Sequence, residues 1–326
     1  MVGSKIIGVG MHAPPKKLTN EDLEKIIDTS DSWIIERTGI KVRRIAEPGA
    51  ATSDLCVEAA RHALEDAGVG AEELDFILVG TCTPDMPLPS VACFTQMKIG
   101  ARKAFAVDLN AACSGFLYAL TTGDALIRAG QGKTGLVVGG EILSTVTDYT
   151  DRGTCILFGD GAGAVVLSEC PDGEGILSCH LHSDGTLWEL IHAPGGGTVH
   201  PYSPEVDEKW MHAIRMSGNE VYKHAVTRLV EVSQEALRHN GVDISEVSLF
   251  VPHQANKRIL DGVAKRLGIS EEKVFVNVSE YGNTSAASIP IALAEAKQQG
   301  RLREGDLLLM AAFGGGLTWG SALVRM

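Results

Sequence analysis

The sequence predicts an α/β protein made of two tandem strand–helix halves, residues 1–170 and 171–326, each a sheet covered by helices. Three observations predict it. Short apolar runs of strand length alternate with stretches of helical spacing along the whole chain. The chain also repeats itself. Ala63-Leu64-Glu65-Asp66-Ala67-Gly68-Val69 is echoed by Ala236-Leu237-Arg238-His239-Asn240-Gly241-Val242, an offset of 173 (237 − 64). Phe76-Ile77-Leu78-Val79 and Leu249-Phe250-Val251-Pro252 keep that offset, as do Ala119-Leu120 and Ala292-Leu293. Each copy then reaches an apolar strand, Leu136-Val137-Val138 or Leu307-Leu308-Leu309, and a glycine-rich turn, Phe158-Gly159-Asp160-Gly161 or Phe313-Gly314-Gly315-Gly316. Lastly, 326 residues are too many for one ordinary core and suit two linked units, with Cys170-Pro171-Asp172-Gly173 as the joint.

The elements follow in order. Ile6–Val9 has the composition of a first strand. Thr19-Asn20-Glu21-Asp22 has the pattern of a helix cap and leads into Leu23–Ile27. Residues 29–45 are polar and read as irregular, with Trp33, Arg37, Arg43 and Arg44 projecting. A helix is expected from about Ser53 to Ala67, ended by Gly68. Phe76–Val79 is a strand, and three prolines make residues 81–90 a loop before a short helix over Val91–Ile99. Phe105, Val107 and Leu109 alternate as in a buried strand, and Phe116, Leu117, Leu120 and Ala125 recur at helical spacing. Leu136–Val138 and Ala164–Leu167 are further strands, separated by a polar excursion from about Glu141 to Thr154.

Composition excludes several classes. Apolar residues make up 44% and charged residues 21%, as in a soluble globular protein. The net charge of −12 does not suggest a nucleic-acid or anionic membrane surface. No signal segment opens the chain and no apolar run reaches the roughly 18 residues of a membrane helix. Seven scattered cysteines without CxxC pairs fit reduced thiols in a cytoplasm. Gly132-Lys133-Thr134 lacks the first glycine of a phosphate loop, since Ile127 stands there. Gly159-Asp160-Gly161-Ala162-Gly163 precedes a strand and is no dinucleotide fingerprint. In Cys179-His180-Leu181-His182 a strand would send Cys179 and the histidines to opposite faces, so no metal site is expected there.

Cys113 sits where a strand ends and a helix begins. Unpaired N–H groups and the helix dipole at such a place favour thiolate and can hold an oxyanion. A free cysteine is more often a small core residue, so partners elsewhere must decide. The duplication supplies them, because equivalent loops of two copies meet near a pseudo-twofold axis. Val251-Pro252-His253-Gln254-Ala255-Asn256 and Glu280-Tyr281-Gly282-Asn283-Thr284-Ser285 carry polar groups that a core would not want, and the second is the counterpart of the Cys113 turn.

Four motifs carry a resemblance over the whole length. They are Asn110-Ala111-Ala112-Cys113-Ser114-Gly115, His253-Gln254-Ala255-Asn256, Gly282-Asn283-Thr284-Ser285 and Gly314-Gly315-Gly316-Leu317-Thr318-Trp319-Gly320-Ser321. The chain resembles the β-ketoacyl-[acyl-carrier-protein] synthase III family, the initiating condensing enzymes of the thiolase superfamily. The resemblance implies a thiolase-like fold of layered αβαβα form and a homodimer. It implies a catalytic Cys113, His253 and Asn283, with an oxyanion hole from the N–H groups of Cys113 and Gly315. Such enzymes condense a short acyl-CoA with malonyl-acyl-carrier protein to begin type II fatty-acid synthesis. No cofactor is implied, CoA thioester being a substrate. A paralogue of secondary metabolism is the alternative, and a silent partner subunit is disfavoured by the presence of Cys113.

Other positions are carried over in the same way. Trp33 and Arg152 resemble the pair that sandwiches the CoA adenine, with Arg37 nearby, and Thr29, Gly218 and Asn219 resemble residues of the pantetheine tunnel. Lys223, Gln254, Lys257, Arg258, Lys265 and Arg266 are expected at the carrier-protein surface. Leu88, where acetyl-restricted members carry phenylalanine, and Leu143 are expected at the acyl pocket. A thiolase would hold a second cysteine where Ala312 stands. An HMG-CoA synthase-like glutamate near the nucleophile has no evident counterpart in the sequence.

Overall fold

The computed structural model describes residues 2–202 and 209–326. The first half contains β1 (Val2–His12), β2 (Lys17–Thr19), α1 (Asn20–Glu24), α2 (Asp31–Thr38), β3 (Val42–Arg44), α3 (Thr52–Ala67), β4 (Phe76–Gly80), α4 (Val91–Ile99), β5 (Phe105–Leu109), α5 (Gly115–Arg128), β6 (Thr134–Glu141) and β7 (Gly161–Pro171). There follow β8 (Ile176–Ser183), β9 (Ile191–His192), β10 (Arg215–Met216), α6 (Gly218–Asn240), β11 (Leu249–Pro252), α7 (Lys257–Leu267), α8 (Val278–Tyr281), α9 (Ser288–Gln298), β12 (Leu307–Gly314) and β13 (Thr318–Arg325).

Two sheets have the same plan. The five-stranded sheet runs β1-β7-β6-β4-β5, and the four-stranded sheet, read in the equivalent direction, runs β8-β13-β12-β11. In each, a parallel pair (β4 with β6, β11 with β12) abuts antiparallel strands. The partner of β5 in the second half is reduced to a single bridge, Phe250 to Val274. The layers are αβαβα. Helices α3 and α4 cover the outer face of the first sheet, α5 and α9 lie between the sheets, and α6 and α7 cover the second.

This layering explains the unbroken apolar strands. In β4, Phe76 and Leu78 join the central cluster while Ile77 and Val79 join the outer one. In β12, Leu308, Met310 and Ala312 face the central helices while Leu307, Leu309 and Ala311 face α6. Both faces of each strand are buried, so period two is hidden by uniform hydrophobicity. Each such large side chain stabilises the body by about 1.5–3 kcal/mol. The expected helix end at Gly68 is present, with φ 66°, and its repeat counterpart Gly241 has φ 64°. Among the described residues no helix is long and apolar enough to cross a membrane.

Two local expectations fail. Residues 29–45 are not irregular, since they hold α2, capped by Ser30 Oγ accepting from Trp33 N, and β3. Arg43 does not project from them. It is fully buried, donating Nη1 to Asn20 Oδ1 at 2.5 Å and Nε to Ile156 O at 3.0 Å. Burial pulls its guanidinium down to about 10, against the pull of nearby acidic groups. Strand β5 is present as expected but lies at the sheet edge, leaving Phe105 46% and Val107 44% exposed. Alternation alone cannot tell an inner strand from an edge one.

Candidate active site

The turn that carries Cys113 is built by local sequence. After β5, Asn110 Oδ1 accepts from Ala112 N at 3.3 Å, and Ala112 adopts φ 46° before a tight turn over 112–114 hands the chain to α5. The second half repeats this at the same offset (285 − 112 = 173). Asn283 Oδ1 accepts from Ser285 N at 2.9 Å, Ser285 has φ 49°, and α9 follows. A non-glycine residue in this left-handed region costs about 1–2 kcal/mol, so packing must hold both turns. Gly314, at the end of β12, touches the Cys113 backbone; a Cβ there would lie 2.6 Å from Cys113 N. Only glycine fits.

Cys113, His253 and Asn283 line one tunnel of about 410 Å³. Asn283 is fixed by its backbone, donating to Leu157 O at 2.8 Å and accepting from Gly159 N at 3.0 Å. Because Ser285 N occupies Oδ1, the amide Nδ2 is its donor toward the tunnel. His253 Nδ1 lies 2.6 Å from Ser288 Oγ, which also accepts from Gln254 N at 3.2 Å. Ser288 Oγ keeps a second lone pair, so its bond with Nδ1 can run in either direction; in the tautomer protonated on Nε2 the hydroxyl donates to Nδ1. Burial pulls His253 down to about 4, so the ring is neutral at physiological pH.

Cys113 departs from the sequence expectation of a standing thiolate. Enclosure pushes its thiol up to about 11; a hydrogen bond with Ser285 lowers it and the charge of Glu141 raises it. Among the described residues no hydrogen bond joins its sulfur to His253. Cys113 is therefore a neutral thiol in the same tunnel as a neutral imidazole.

A buried glutamate that the sequence reading did not single out lies near Cys113, outside the tunnel lining. Glu141 ends β6, is completely buried, and its carboxylate accepts from Thr81 Oγ1, Thr83 Oγ1, Thr83 N, Cys82 N and Ser285 Oγ at 2.5–3.2 Å. Burial raises its affinity for a proton while these donors oppose that. The repeat held the clue. Residue 141 is the counterpart of Gly314 (314 − 141 = 173), and each strand end faces the other half's turn. Ser285 and Ser288 were also missed, although both follow Asn283 closely.

The carried-over positions divide. Trp33, Arg37, Gly218, Asn219 and Arg258 line the tunnel with the three central residues. Arg37 and Arg152 place Cζ at 4.7 and 4.8 Å from the Trp33 ring centre, and Arg152 Nη1 donates to Asp28 O at 3.1 Å. A base between Trp33 and Arg152 needs about 7 Å, two carbon contacts of about 3.5 Å, so Arg152 must swing away to admit one. Thr29 Oγ1 is buried without a hydrogen-bond partner. Leu143 is buried in the cluster of Leu157 and Phe158, which themselves line the tunnel, whereas Leu88 is 79% exposed and lines no part of it.

Gln254 is not a surface residue. Its Nε2 donates to Pro252 O and Phe275 O and its Oε1 accepts from Asn277 N and Val278 N, so it pins the His253 loop and cannot meet a carrier protein. Lys223 and Lys257 are exposed but ion-paired on their own helices, to Glu220 at 2.7 Å and Asp261 at 2.8 Å. Lys265 and Arg266 are exposed on the last turn of α7, and Arg258 stacks over Tyr222 at 5.7 Å. His182 turns toward α6, its Nε2 2.7 Å from Glu235 Oε2.

Comparison with known proteins follows the same lines. Residues 107–185 match the family described as 3-oxoacyl-[acyl-carrier-protein (ACP)] synthase III, and residues 237–326 match the C-terminal part of that family. The chain is 52% identical over 325 residues to the β-ketoacyl-[acyl-carrier-protein] synthase III of Desulfitobacterium hafniense (strain Y51), covering 100% of this chain and 98% of that protein. It superposes on the crystal structure of 3-oxoacyl-[acyl-carrier-protein] synthase III from Aquifex aeolicus VF5 with TM-score 0.93 and 49% identity, over 99% of this chain and 100% of that one. The priming β-ketosynthase from the R1128 polyketide biosynthetic pathway gives TM-score 0.91 at 36% identity, over 99% and 96%.

Proposed function

Since the chain belongs to the β-ketoacyl-[acyl-carrier-protein] synthase III family, enzymes that join an acyl-CoA to malonyl-acyl-carrier protein at the start of fatty-acid synthesis, we propose how its residues divide that reaction. Cys113 attacks the acyl-CoA carbonyl. A sulfur–carbon bond forms, the bond to the CoA sulfur breaks, and CoA leaves as the thiol with the proton that Cys113 lost. Malonyl-carrier protein then enters. Its carbon–carboxylate bond breaks and the electron pair passes into an enolate whose oxygen is held by His253 Nε2–H and Asn283 Nδ2–H. The carbanion attacks the acyl-Cys113 carbonyl, and the Cys113 thiolate departs and takes a proton from solvent. The N–H groups of Cys113 and Gly315 are the oxyanion donors of both tetrahedral intermediates. No base must remove a carbon-bound proton, which agrees with the apolar Ala312.

One observation carries this reading. A neutral imidazole and a carboxamide, each with its second polar atom already occupied, converge on a tunnel that also holds a thiol. Trp33, Arg37, Arg152, Thr29, Gly218 and Asn219 take the CoA moiety. Arg258, Lys265 and Arg266 take the acidic carrier, with Lys223 and Lys257 contributing once their pairs exchange. The chain divides at 170/171 and acts in the cytoplasm as a homodimer. Support for the dimer is the unpaired β5 edge with exposed Phe105 and Val107, together with exposed Met97 on α4, which packs against β5. In that dimer Leu88 closes the partner's acyl pocket and Leu143 backs the chain's own. The 36% identity to a polyketide priming synthase keeps a secondary-metabolic role as the second reading. Incubation with acetyl- to octanoyl-CoA and malonyl-carrier protein tests the proposal. Release of CO2 with a β-ketoacyl-carrier product two carbons longer than the primer supports it, and CO2 without a condensed product contradicts it.

A further inference from the structure

Glu141 has no place in the steps above, yet it is the most heavily hydrogen-bonded side chain beside them. It is completely buried at the end of β6, and among the described residues no lysine or arginine lies within ion-pair distance. One oxygen, Oε2, takes Thr81 Oγ1 at 3.1 Å, Thr83 N at 3.1 Å and Thr83 Oγ1 at 2.5 Å. The other, Oε1, takes Ser285 Oγ at 3.0 Å and Cys82 Sγ at 3.3 Å, while Cys82 N is shared between the two oxygens. An uncompensated buried carboxylate is expensive, so this one stands only because donors from two separate segments surround it.

Those segments matter. Residues 81–83 belong to the first half and lead into the proline loop, whereas Ser285 belongs to the second and sits at φ 49° in the turn that orients Asn283. The first-half copy of this turn has Ala112, with no hydroxyl to anchor, and faces Gly314 in place of Glu141. Its asparagine, Asn110, is exposed, and its hydrogen bond is longer, 3.3 Å against 2.9 Å. The tighter bond is the one with an anchored serine.

We propose that Glu141 is a positioning residue for condensation. Through Ser285 it holds the left-handed turn whose N–H fixes Asn283 Oδ1, so that Nδ2–H points at the malonyl thioester oxygen. With its other oxygen it ties the loop at 81–83 to the same point. The proposal rests on the reading of Asn283 as an enolate donor and adds the group that aims it. Misplacing a group by about 1 Å can cost about 100-fold in rate, so a rigid anchor has value there.

The test uses Glu141→Gln, Ser285→Ala, their double variant and Asn283→Ala in the full-length enzyme. Acyl-Cys113 formation from acetyl-CoA and turnover with malonyl-carrier protein are measured separately. Losing a hydrogen bond to a charged group corresponds to about 10- to 100-fold. Glu141→Gln and Ser285→Ala are each expected to lower condensation kcat by about that factor. Acylation should fall at least about tenfold less, and KM for malonyl-carrier protein should stay within about threefold. The double variant should be no worse than the poorer single, because both break one chain of contacts. Multiplying losses, or equal loss in both half-reactions, would overturn the proposal. Ser285 also hydrogen-bonds the Cys113 thiol, so if Glu141→Gln does not fold, Thr81→Val, which removes a donor from the same carboxylate, decides by the same split. An Asn283→Ala enzyme that condenses normally sinks the underlying donor reading, whereas an impaired Asn283→Ala beside intact Glu141→Gln and Ser285→Ala sinks only the positioning role.

Discussion

Gly314→Ala is a small substitution with a large expected effect. The added Cβ would stand 2.6 Å from Cys113 N and 3.2 Å from its Cα and Cβ, all atoms of the proposed nucleophile. Ordinary contact begins near 3.4 Å, so Cys113 and β12 must separate by about 0.8 Å. Neither yields easily. Cys113 sits between the strained Ala112 and the buried start of α5, and Gly314 pairs with Thr318 in the sheet. Overpacking of this kind costs about 1–3 kcal/mol of stability. Because misplacement by about 1 Å costs about 100-fold, acylation should slow by about 30- to 100-fold. Gly3→Ala in β1 makes the comparison, since its Cβ would meet Pro171 O at 3.2 Å and demands only a small adjustment. Rapid-quench mass spectrometry of acetyl-Cys113, with thermal unfolding alongside, reads both effects. A Gly314→Ala enzyme that acylates at the wild-type rate with an unchanged Tm would refute the reasoning.

Three further outcomes are expected. Asn283→Ala and His253→Ala should each lower condensation by about 100- to 1,000-fold while slowing acyl-Cys113 formation far less; equal loss in both steps would contradict the division of roles. His253 protonates at about 4 in the folded protein and at the ordinary histidine value of 6.5 once unfolded, so the unfolded chain binds the extra proton between those values. Stability should therefore fall as pH drops from about 6.5 to 4. His253→Gln should lose about 3 kcal/mol less across that window in denaturant titrations, and parallel curves would contradict it. Arg258→Glu should raise KM for malonyl-carrier protein about five- to tenfold at low salt, with the difference shrinking as salt rises; an unchanged KM would remove Arg258 from the interface.

Much of this was legible in the residues. The repeat at one fixed offset prescribed two sheets of the same strand order, because equal hydrophobic patterns bury equal faces. The motifs around Cys113, His253 and Asn283 drew attention because they carry polar groups a core would not want, the resemblance named the three as a set, and the structure brings them to one tunnel. Arg43 and Phe105 were not legible. Which of Arg43 and Arg44 turns inward depends on Asn20 and Ile156, far away in sequence. Whether β5 is inner or edge depends on what pairs beyond it. Gln254 misled because its motif neighbours His253 and Asn256 line the tunnel, while its own amide satisfies four backbone groups. Glu141 escaped because its partners lie at positions 81–83 and 285, and only the pseudo-symmetry brings them to one point.

The most direct test of the central claim follows the acyl group itself. The enzyme is exposed to acetyl-CoA, digested and analysed by mass spectrometry, and a second sample is chased with malonyl-carrier protein before digestion. One acetyl group should appear on the peptide that carries Cys113 and vanish on the chase as acetoacetyl-carrier protein forms, and Cys113→Ala should show neither event. Acetyl found on another cysteine and passed from there into product, or an acetyl on Cys113 that survives the chase while product accumulates, would contradict the account.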